Sequence, residues 1–394
     1  MLSDLVVLDL SRALAGPHAA MLLADLGARV IKVESPGGDE TRTWGPPFVG
    51  EASERLSTYF MSCNRNKESV VLDLKSAEGI DLLERLVRRA DVLIENFRAG
   101  VMERLGFSLA RLHELNPRLV LCSITGFGHD GPEASRPGYD QILQGEAGLM
   151  SLTGEPDGEP TRVGVPIGDL LAGIHAAYGV CAALHERNRT GRGTVVRTSL
   201  LAGLIGVHAF QGTRWTVAGE EPARVGNHHP SIAPYGLFRT SDGSVQVAVG
   251  TQAQWEVLAR LINVTADHPD FANNESRVAN REKLIDVIET AFEARTSADI
   301  LTELTEASIP AGRVRTLPEV YAWDQVRSQG LLLTVDDPDL GPIELPGPVL
   351  RLGEDATPGT RARHSAPPRL GEHNDDIISW LNDVETADKA QRGD

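Results

Sequence analysis

The sequence predicts an α/β protein whose large domain is a doubly wound sheet with helices, joined to a smaller α+β domain. Three features carry this. Apolar strand-length runs alternate with amphipathic helix-length runs from residue 1 to about 200. Two β-rich runs, Tyr235 to Thr240 and Ser244 to Gly250, flank the turn Ser241-Asp242-Gly243 and then give way to helical periodicity. At 394 residues with 41% hydrophobic and 24% charged residues, the chain can bury more than one core.

In order, Leu5 to Leu10 reads as a buried strand, Ser11 to Gly16 as a turn, and His18 to Leu26 as a helix with Pro17 in its first turn and Gly27 at its stop. Arg29 to Glu34 is a second strand, so the unit is a right-handed βαβ with parallel strands. Its first turn holds only Gly16, and without G-x-G-x-x-G no nicotinamide site is expected. Pro36 to Glu54 is a polar loop carrying Asp39, Arg42 and Trp44, of the kind that lines open-sheet sites. Val70 to Leu74, Asp91 to Glu95 and Arg118 to Ile124 are further strands, with Ala77 to Arg89 and Leu109 to Leu115 as helices.

The stretch Gly164 to Gly193 is a Gly/Pro turn followed by a long helix. Leu170, Leu171, Ile174, Ala177, Tyr178, Cys181 and Leu184 fall near a 3.6-residue period, and Gly173, Ala176 and Gly179 let a neighbour approach closely. Arg187 and Arg189 suit the helix end, and Gly191 and Gly193 stop it. Asp169 stands at the helix mouth. Locally it reads first as an N-cap. The same position sits in positive potential, which would keep a carboxylate ionised and available as a nucleophile. The local pattern leaves both open.

The net charge of −17 opposes non-specific binding to nucleic acid or anionic membranes, but not to a polyanionic small ligand met by a local cluster of cations. No apolar run looks long enough to span a bilayer. Cys63, Cys122 and Cys181 are few, odd in number and far apart, so they read as core thiols. With no basic and apolar leader at Met1 to Asp4, a cytoplasmic setting is expected.

A set of segments resembles one family. They are Val7-Leu8-Asp9-Leu10-Ser11 with Ala15-Gly16-Pro17; Leu23 to Ala28 with Val30 to Glu34; Asn64-Arg65-Asn66-Lys67; Leu72-Asp73-Leu74-Lys75; Asp91-Val92-Leu93 with Glu95-Asn96-Phe97; Asn116 to Val120; Gly126-Phe127-Gly128; Pro137-Gly138-Tyr139-Asp140; Gly168-Asp169; and Pro234-Tyr235-Gly236. In this order, over nearly the whole chain, they resemble the family III CoA-transferases, the CaiB/BaiF family, which includes formyl-CoA and carnitine CoA-transferases and the α-methylacyl-CoA racemases.

The resemblance implies a Rossmann-like large domain built from residues 1–200 and 349–394, a small domain at 226–325, linkers at 201–225 and 326–348, and a homodimer whose chains interlock like ring links. It implies Asp169 as the catalytic nucleophile and no metal. It places Leu72 and Lys75 near the adenine of CoA, Asn96, Phe97 and Arg104 along the nucleotide and pantetheine path, and Ala15 and Tyr139 near the thioester. The implied activity moves CoA from an acyl-CoA donor, succinyl-CoA being the family's suggestion, to a free carboxylic acid through an aspartyl-CoA thioester. Backbone N–H groups around Gly168 and the Gly250 loop are the expected oxyanion donors. Arg12 and Arg42 are candidates for a second carboxylate.

Departures bear on the substrate. Leu14 replaces a glutamine of the formyl-CoA transferases, and Gly250-Thr251-Gln252-Ala253-Gln254 replaces their glycine run, so a formate–oxalate pair is not expected. Pro137, next to Arg136, takes the place of a basic residue found in some members. Tyr139 stands where the racemases carry a histidine, and a phenol is a weak base for α-proton removal. A racemase or epimerase, or a non-catalytic CoA-binding protein, are the alternative readings.

Overall fold

The computed structural model describes residues 1–51, 55–354 and 357–392. The chain divides into two compact units, one of Met1–Ala147, Val163–Phe210 and Asp324–Asp394, the other of Gly148–Arg162 and Gln211–Trp323.

The larger unit is built on a parallel sheet. In chain order its main elements are β1 (Val6–Asp9), α1 (Ala15–Asp25), β2 (Arg29–Glu34), β3 (Lys67–Val71), α2 (Ala77–Arg89), β4 (Val92–Glu95), β5 (Val120–Thr125), α3 (Asp140–Glu146), α4 (Ile167–Thr190), β6 (Val195–Ser199) and α5 (Leu200–Gly206). The strand order is β3-β2-β1-β4-β5-β6, with every pair parallel. The order reverses between β1 and β4. There the loops leaving the two strands part, and a crevice opens at the carboxyl ends.

Strands covered on both faces must be apolar throughout, which Val-Val-Leu in β1 and Val-Leu-Ile in β4 satisfy. Leu8, Ile31, Leu83, Leu86, Leu93 and Leu112 form a core with no solvent exposure, and Ile377 and Leu381 of the helix Asn374–Arg392 complete it from the other end of the chain. Each such side chain contributes roughly 1.5–3 kcal/mol on burial. Arg85 with Glu385 and Arg89 with Asp388 pin that helix along α2.

Two expectations change. α4 begins at Ile167, two residues before Asp169. With 24 residues and a window of mean hydropathy 1.5, it is long and apolar enough to cross a membrane by length and composition, contrary to the reading that no such run exists. Leu, Ile and Val give the helix this hydropathy, while its small residues bring α4 down onto α1, Gly173 lying against Ala15 and His18. The segment expected as the second linker, 326–348, has structure of its own. Leu332–Asp337 and Gly341–Pro346 pair as an antiparallel hairpin. Its turn rests on Gly341 at φ 70° and on Asp337, whose Oδ1 accepts the N–H groups of Asp339 and Leu340.

The smaller unit is α+β. Tyr235–Thr240 and Gly243–Ala248 form the hairpin read from the sequence, and Ala311–Gly312 adds a third antiparallel strand. Trp255, Phe238, Leu258, Leu284, Ile288 and Phe292 fill its core. Thr251 and Gln254 close a capping box on the helix Gln252–Leu261.

Candidate active site

A cleft of about 820 Å³ lies where the strand order reverses. Arg12, Ala13 and Ala15 reach it from the loop after β1, Asn96, Phe97 and Arg98 from the loop after β4, Tyr139 and Asp140 from the start of α3, and Asp169 from the first turn of α4.

Asp169 is not the cap of α4. Pro166 occupies the N-cap position without a side-chain bond, and Asp140 does the capping from 28 residues away, its Oδ1 accepting the Gly168 N–H at 2.7 Å. Gln144 holds Asp140 in turn, Nε2 donating to Asp140 Oδ2 at 2.7 Å while Gln144 Oε1 accepts the Val163 N–H at 2.9 Å. Asp169 is thereby released from capping and turned to the cleft. Burial first, and the neighbouring Asp140 second, push its carboxyl up to about 7, opposed by a hydrogen bond from the Ala15 N–H. The helix start does not keep this acid ionised in the way the sequence suggested, because among the described residues no cation offsets the burial.

The loop carrying that N–H rests on buried charge. Lys32 Nζ donates to Ser11 O at 3.1 Å and pairs with Asp39 Oδ2 at 2.8 Å. Asp9 accepts from the Ser11 N–H at 3.1 Å and from Lys67 Nζ at 2.8 Å. Asp39 Oδ1 faces the Ala13 N–H at 3.4 Å and bonds Thr41. Ala13 sits at φ 64°, a conformation this scaffold holds in place. Across the crevice, Asn96 accepts from the Arg12 N–H and donates to the Arg12 carbonyl, both at 2.8 Å.

A second clamp joins the rims beyond. Ser123 is in register with Glu95, donates to its carboxylate and meets His129 Nε2 at 2.9 Å, while Glu95 also accepts the Phe97 N–H at 2.8 Å. Burial pushes the Glu95 carboxyl up and the His129 imidazole down. On the far side Tyr59 and Trp44 line the cleft, their rings edge to face with centroids 5.0 Å apart. Burial, then Asp169, raises the Tyr59 phenol. Burial pushes Cys63 up to about 11 and Cys122 up to about 12, so neither is a ready nucleophile.

Of the residues singled out in the sequence, Asp169, Ala15, Asn96, Phe97 and Tyr139 come together in the cleft. Leu72 is buried in the main core at 3% exposure, and Lys75 and Arg104 are exposed but outside the cleft lining. The Gly168 N–H is taken by Asp140, and the Gly250 N–H is taken by Gln254 Oε1 at 3.0 Å, so these two are not among the N–H groups available to an oxyanion; the Ala15 N–H is set against Asp169. The buried lysines and the capping role of Asp140 were missed. A lysine inside Val30-Ile31-Lys32-Val33 was the available signal, since a charge in a two-sided buried strand demands acids nearby.

Comparison with known proteins gives a consistent picture. The chain matches the model of CoA-transferase family III over residues 2–374. It is 41% identical to a succinate–glutarate CoA-transferase of Agrobacterium fabrum, over 98% of this chain and 96% of the relative. It is 38% identical to a succinyl-CoA:mesaconate CoA-transferase of Haloarcula hispanica, over 96% of this chain and 95% of the relative. The crystal structure of a CAIB/BAIF family protein from Brucella suis superposes with a TM-score of 0.85 at 41% identity, over 96% of this chain and 99% of that one.

Proposed function

This chain belongs to CoA-transferase family III, and on that premise we propose that it moves CoA from succinyl-CoA to a second dicarboxylic acid through a thioester on Asp169. The relatives that take succinyl-CoA or succinate with glutarate or mesaconate support the substrate class. The observation that carries the mechanism is a cleft carboxyl with no cation beside it, freed from capping and touched by a backbone N–H.

The Asp169 carboxylate attacks the donor's thioester carbonyl. The C–S bond breaks, and CoA leaves as thiolate from a mixed anhydride. The thiolate attacks the Asp169 carbonyl carbon, which expels the donor acid and leaves CoA on Asp169. The acceptor carboxylate attacks that thioester, and the returning thiolate then takes the acceptor's acyl group and restores Asp169. No proton is gained or lost overall. We assign the Ala15 N–H to the tetrahedral state at the Asp169 carbon, because it is the backbone donor that lowers the Asp169 carboxyl. We also assign the thioester end of CoA to Ala15 and Tyr139, the nucleotide and pantetheine path to Asn96, Phe97 and Arg104, and the adenine end to Lys75 and the backbone at Leu72, whose side chain is in the core.

We further propose the interlocked homodimer. Ile174 and Tyr178, one turn apart on α4, are 48% and 73% exposed, which suits a face covered by a second chain. Sedimentation should show no native monomer on dilution; rapid exchange between monomer and dimer would rule the interlock out.

Succinyl-CoA alone should leave CoA on the peptide containing Asp169, released by hydroxylamine, and Asp169→Asn should lose transfer by at least roughly 10⁴-fold while still binding CoA thioesters. A folded Asp169→Asn that transfers CoA near the wild-type rate would end the assignment. Solvent deuterium entering the α-position of a 2-methylacyl-CoA would instead mark a racemase.

A further inference from the structure

A dicarboxylic acceptor brings a second negative charge into a cleft that already holds Asp140 and Asp169. Something positive must meet it, since an unpaired charge there is costly. Three arginines line the cleft: Arg12, Arg98 and Arg136. Arg136 is already paired with Glu146 and Glu133 and stacked over Phe127. Arg42, the other candidate from the sequence, is outside the cleft lining; it grips Glu34 through two bonds, at 2.8 and 2.7 Å, and lies over Phe60. Among the described residues, the guanidinium groups of Arg12 and Arg98 meet no carboxylate.

Position separates these two. Arg12 is on the loop that carries the Ala15 N–H against Asp169, three residues away, so its Cα is within about 10 Å of the Ala15 backbone. An arginine side chain from there spans the interval to a diacid's far end, the two carboxyl carbons being roughly 4–6 Å apart in diacids of four or five carbons. Its backbone is fixed at both ends, N–H and C=O, by Asn96, and its guanidinium lies 5.5 Å from the centre of the Phe97 ring. The stem is anchored and the fork is free, an arrangement suited to bidentate capture of a planar carboxylate. Arg98 lines the cleft from the loop after β4, which among the described residues brings no group against Asp169, whereas the loop of Arg12 brings Ala15.

We propose that Arg12 binds the distal carboxylate of the diacid and is the residue that selects dicarboxylic over monocarboxylic partners. This rests on the transfer reaction proposed above. The acid that leaves Asp169 and the acid that arrives occupy the same place in turn. Arg12 therefore serves donor and acceptor alike, and one cation sets the preference on both sides.

The test compares wild type, Arg12→Gln and Arg12→Lys with glutarate and with valerate, its monocarboxylic counterpart of equal length. In a double-displacement scheme kcat/KM for the acceptor reports the second half-reaction whatever the donor. Arg12→Gln should lower the glutarate-to-valerate ratio of kcat/KM by roughly tenfold to a hundredfold, with Arg12→Lys between the two. Calorimetric affinity for CoA should be unchanged, and the fold retained, because Asn96 holds the backbone rather than the side chain. Titration of glutarate and of valerate into the CoA-loaded protein reads the same site without turnover. An equal fall for both acids, or a comparable loss of CoA affinity, would overturn the proposal and assign Arg12 to a phosphate. A wild type that moves no CoA, yet loses glutarate binding on Arg12→Gln, would overturn the transfer reading and leave the carboxylate site standing.

Discussion

Two sets of acids are buried at the same end of one sheet, and they respond to burial in opposite ways. Asp9, Asp39 and Glu34 are pressed by desolvation, yet their carboxyls are held below the usual range because Lys67, Lys32 and Arg42 are bonded to them. Asp169 has no such partner, and its neighbour is another acid, so its carboxyl rises to about 7. Burial alone does not mark a reactive group. A buried acid that lacks a cation, lines the cleft and is not tied up by side-chain donors as Glu95 is by Ser123 is the candidate, because its charged form is held at high energy. The paired acids spend their charge on holding the loop that presents Ala15.

Removing the cation from the paired set is the harshest way to break this contrast. Lys32→Met takes from Asp39 its lysine partner at 2.8 Å and leaves Asp9 only Lys67, in a buried site. It should cost about 3–5 kcal/mol in denaturant unfolding. A loss below 1 kcal/mol would show that Lys32 does not hold those acids.

The unpaired set should behave in reverse. Because its folded-state value is raised, Asp169 leaves stability intact below about 3.8 and takes it away as pH rises through about 7. Asp169→Asn should thus match wild type near pH 4 and exceed it above pH 8, by about 1–3 kcal/mol once the partial exposure of the side chain is allowed for. Thermal melts from pH 4 to 9 would show the two curves parting across that window; parallel curves would refute the raised value. The paired acids contribute the opposite slope, present above about 4 and lost as pH falls through their lowered values.

Asp140→Asn gives the smallest effect. The amide oxygen can still accept the Gly168 N–H, the bond from Gln144 Nε2 is lost, and a negative charge beside Asp169 is gone. The rising limb of kcat/KM for the donor should move to lower pH, making the variant several-fold faster than wild type at pH 6. An unmoved limb would mean that burial alone sets Asp169.

Much of this was legible in the sequence because it is local. The βαβ rhythm needs only neighbours, and so does the hairpin around Ser241-Asp242-Gly243. Asp169 stood out through its place at the start of a long apolar helix, although its local chemistry pointed to the wrong role, a cap. That role belongs to Asp140, whose link to Gly168 spans 28 residues and leaves no spacing to read. The lysine scaffold was hidden likewise: Lys67 meets Asp9 across 58 residues. The hairpin at Leu332–Pro346 was masked by the Gly and Pro residues that elsewhere mark a linker. Lys75 and Arg104 rest on resemblance, which carries a position but not a direction.

Gly173 follows Asp169 by one helical turn and faces α1. A methyl group there would come within 2.7 Å of the Ala15 carbonyl oxygen and 3.1 Å of the His18 ring. The gap between the reacting carboxyl and the N–H that attends it is thus set by a side chain that is missing. For anyone reshaping this protein towards other acids, the two kinds of position are not equal. Arg12 and Tyr139 line the cleft and are exposed, so variation there is tolerated by the packing. Position 173 is a spacer, and a library that varies it would alter the distance on which every acid depends.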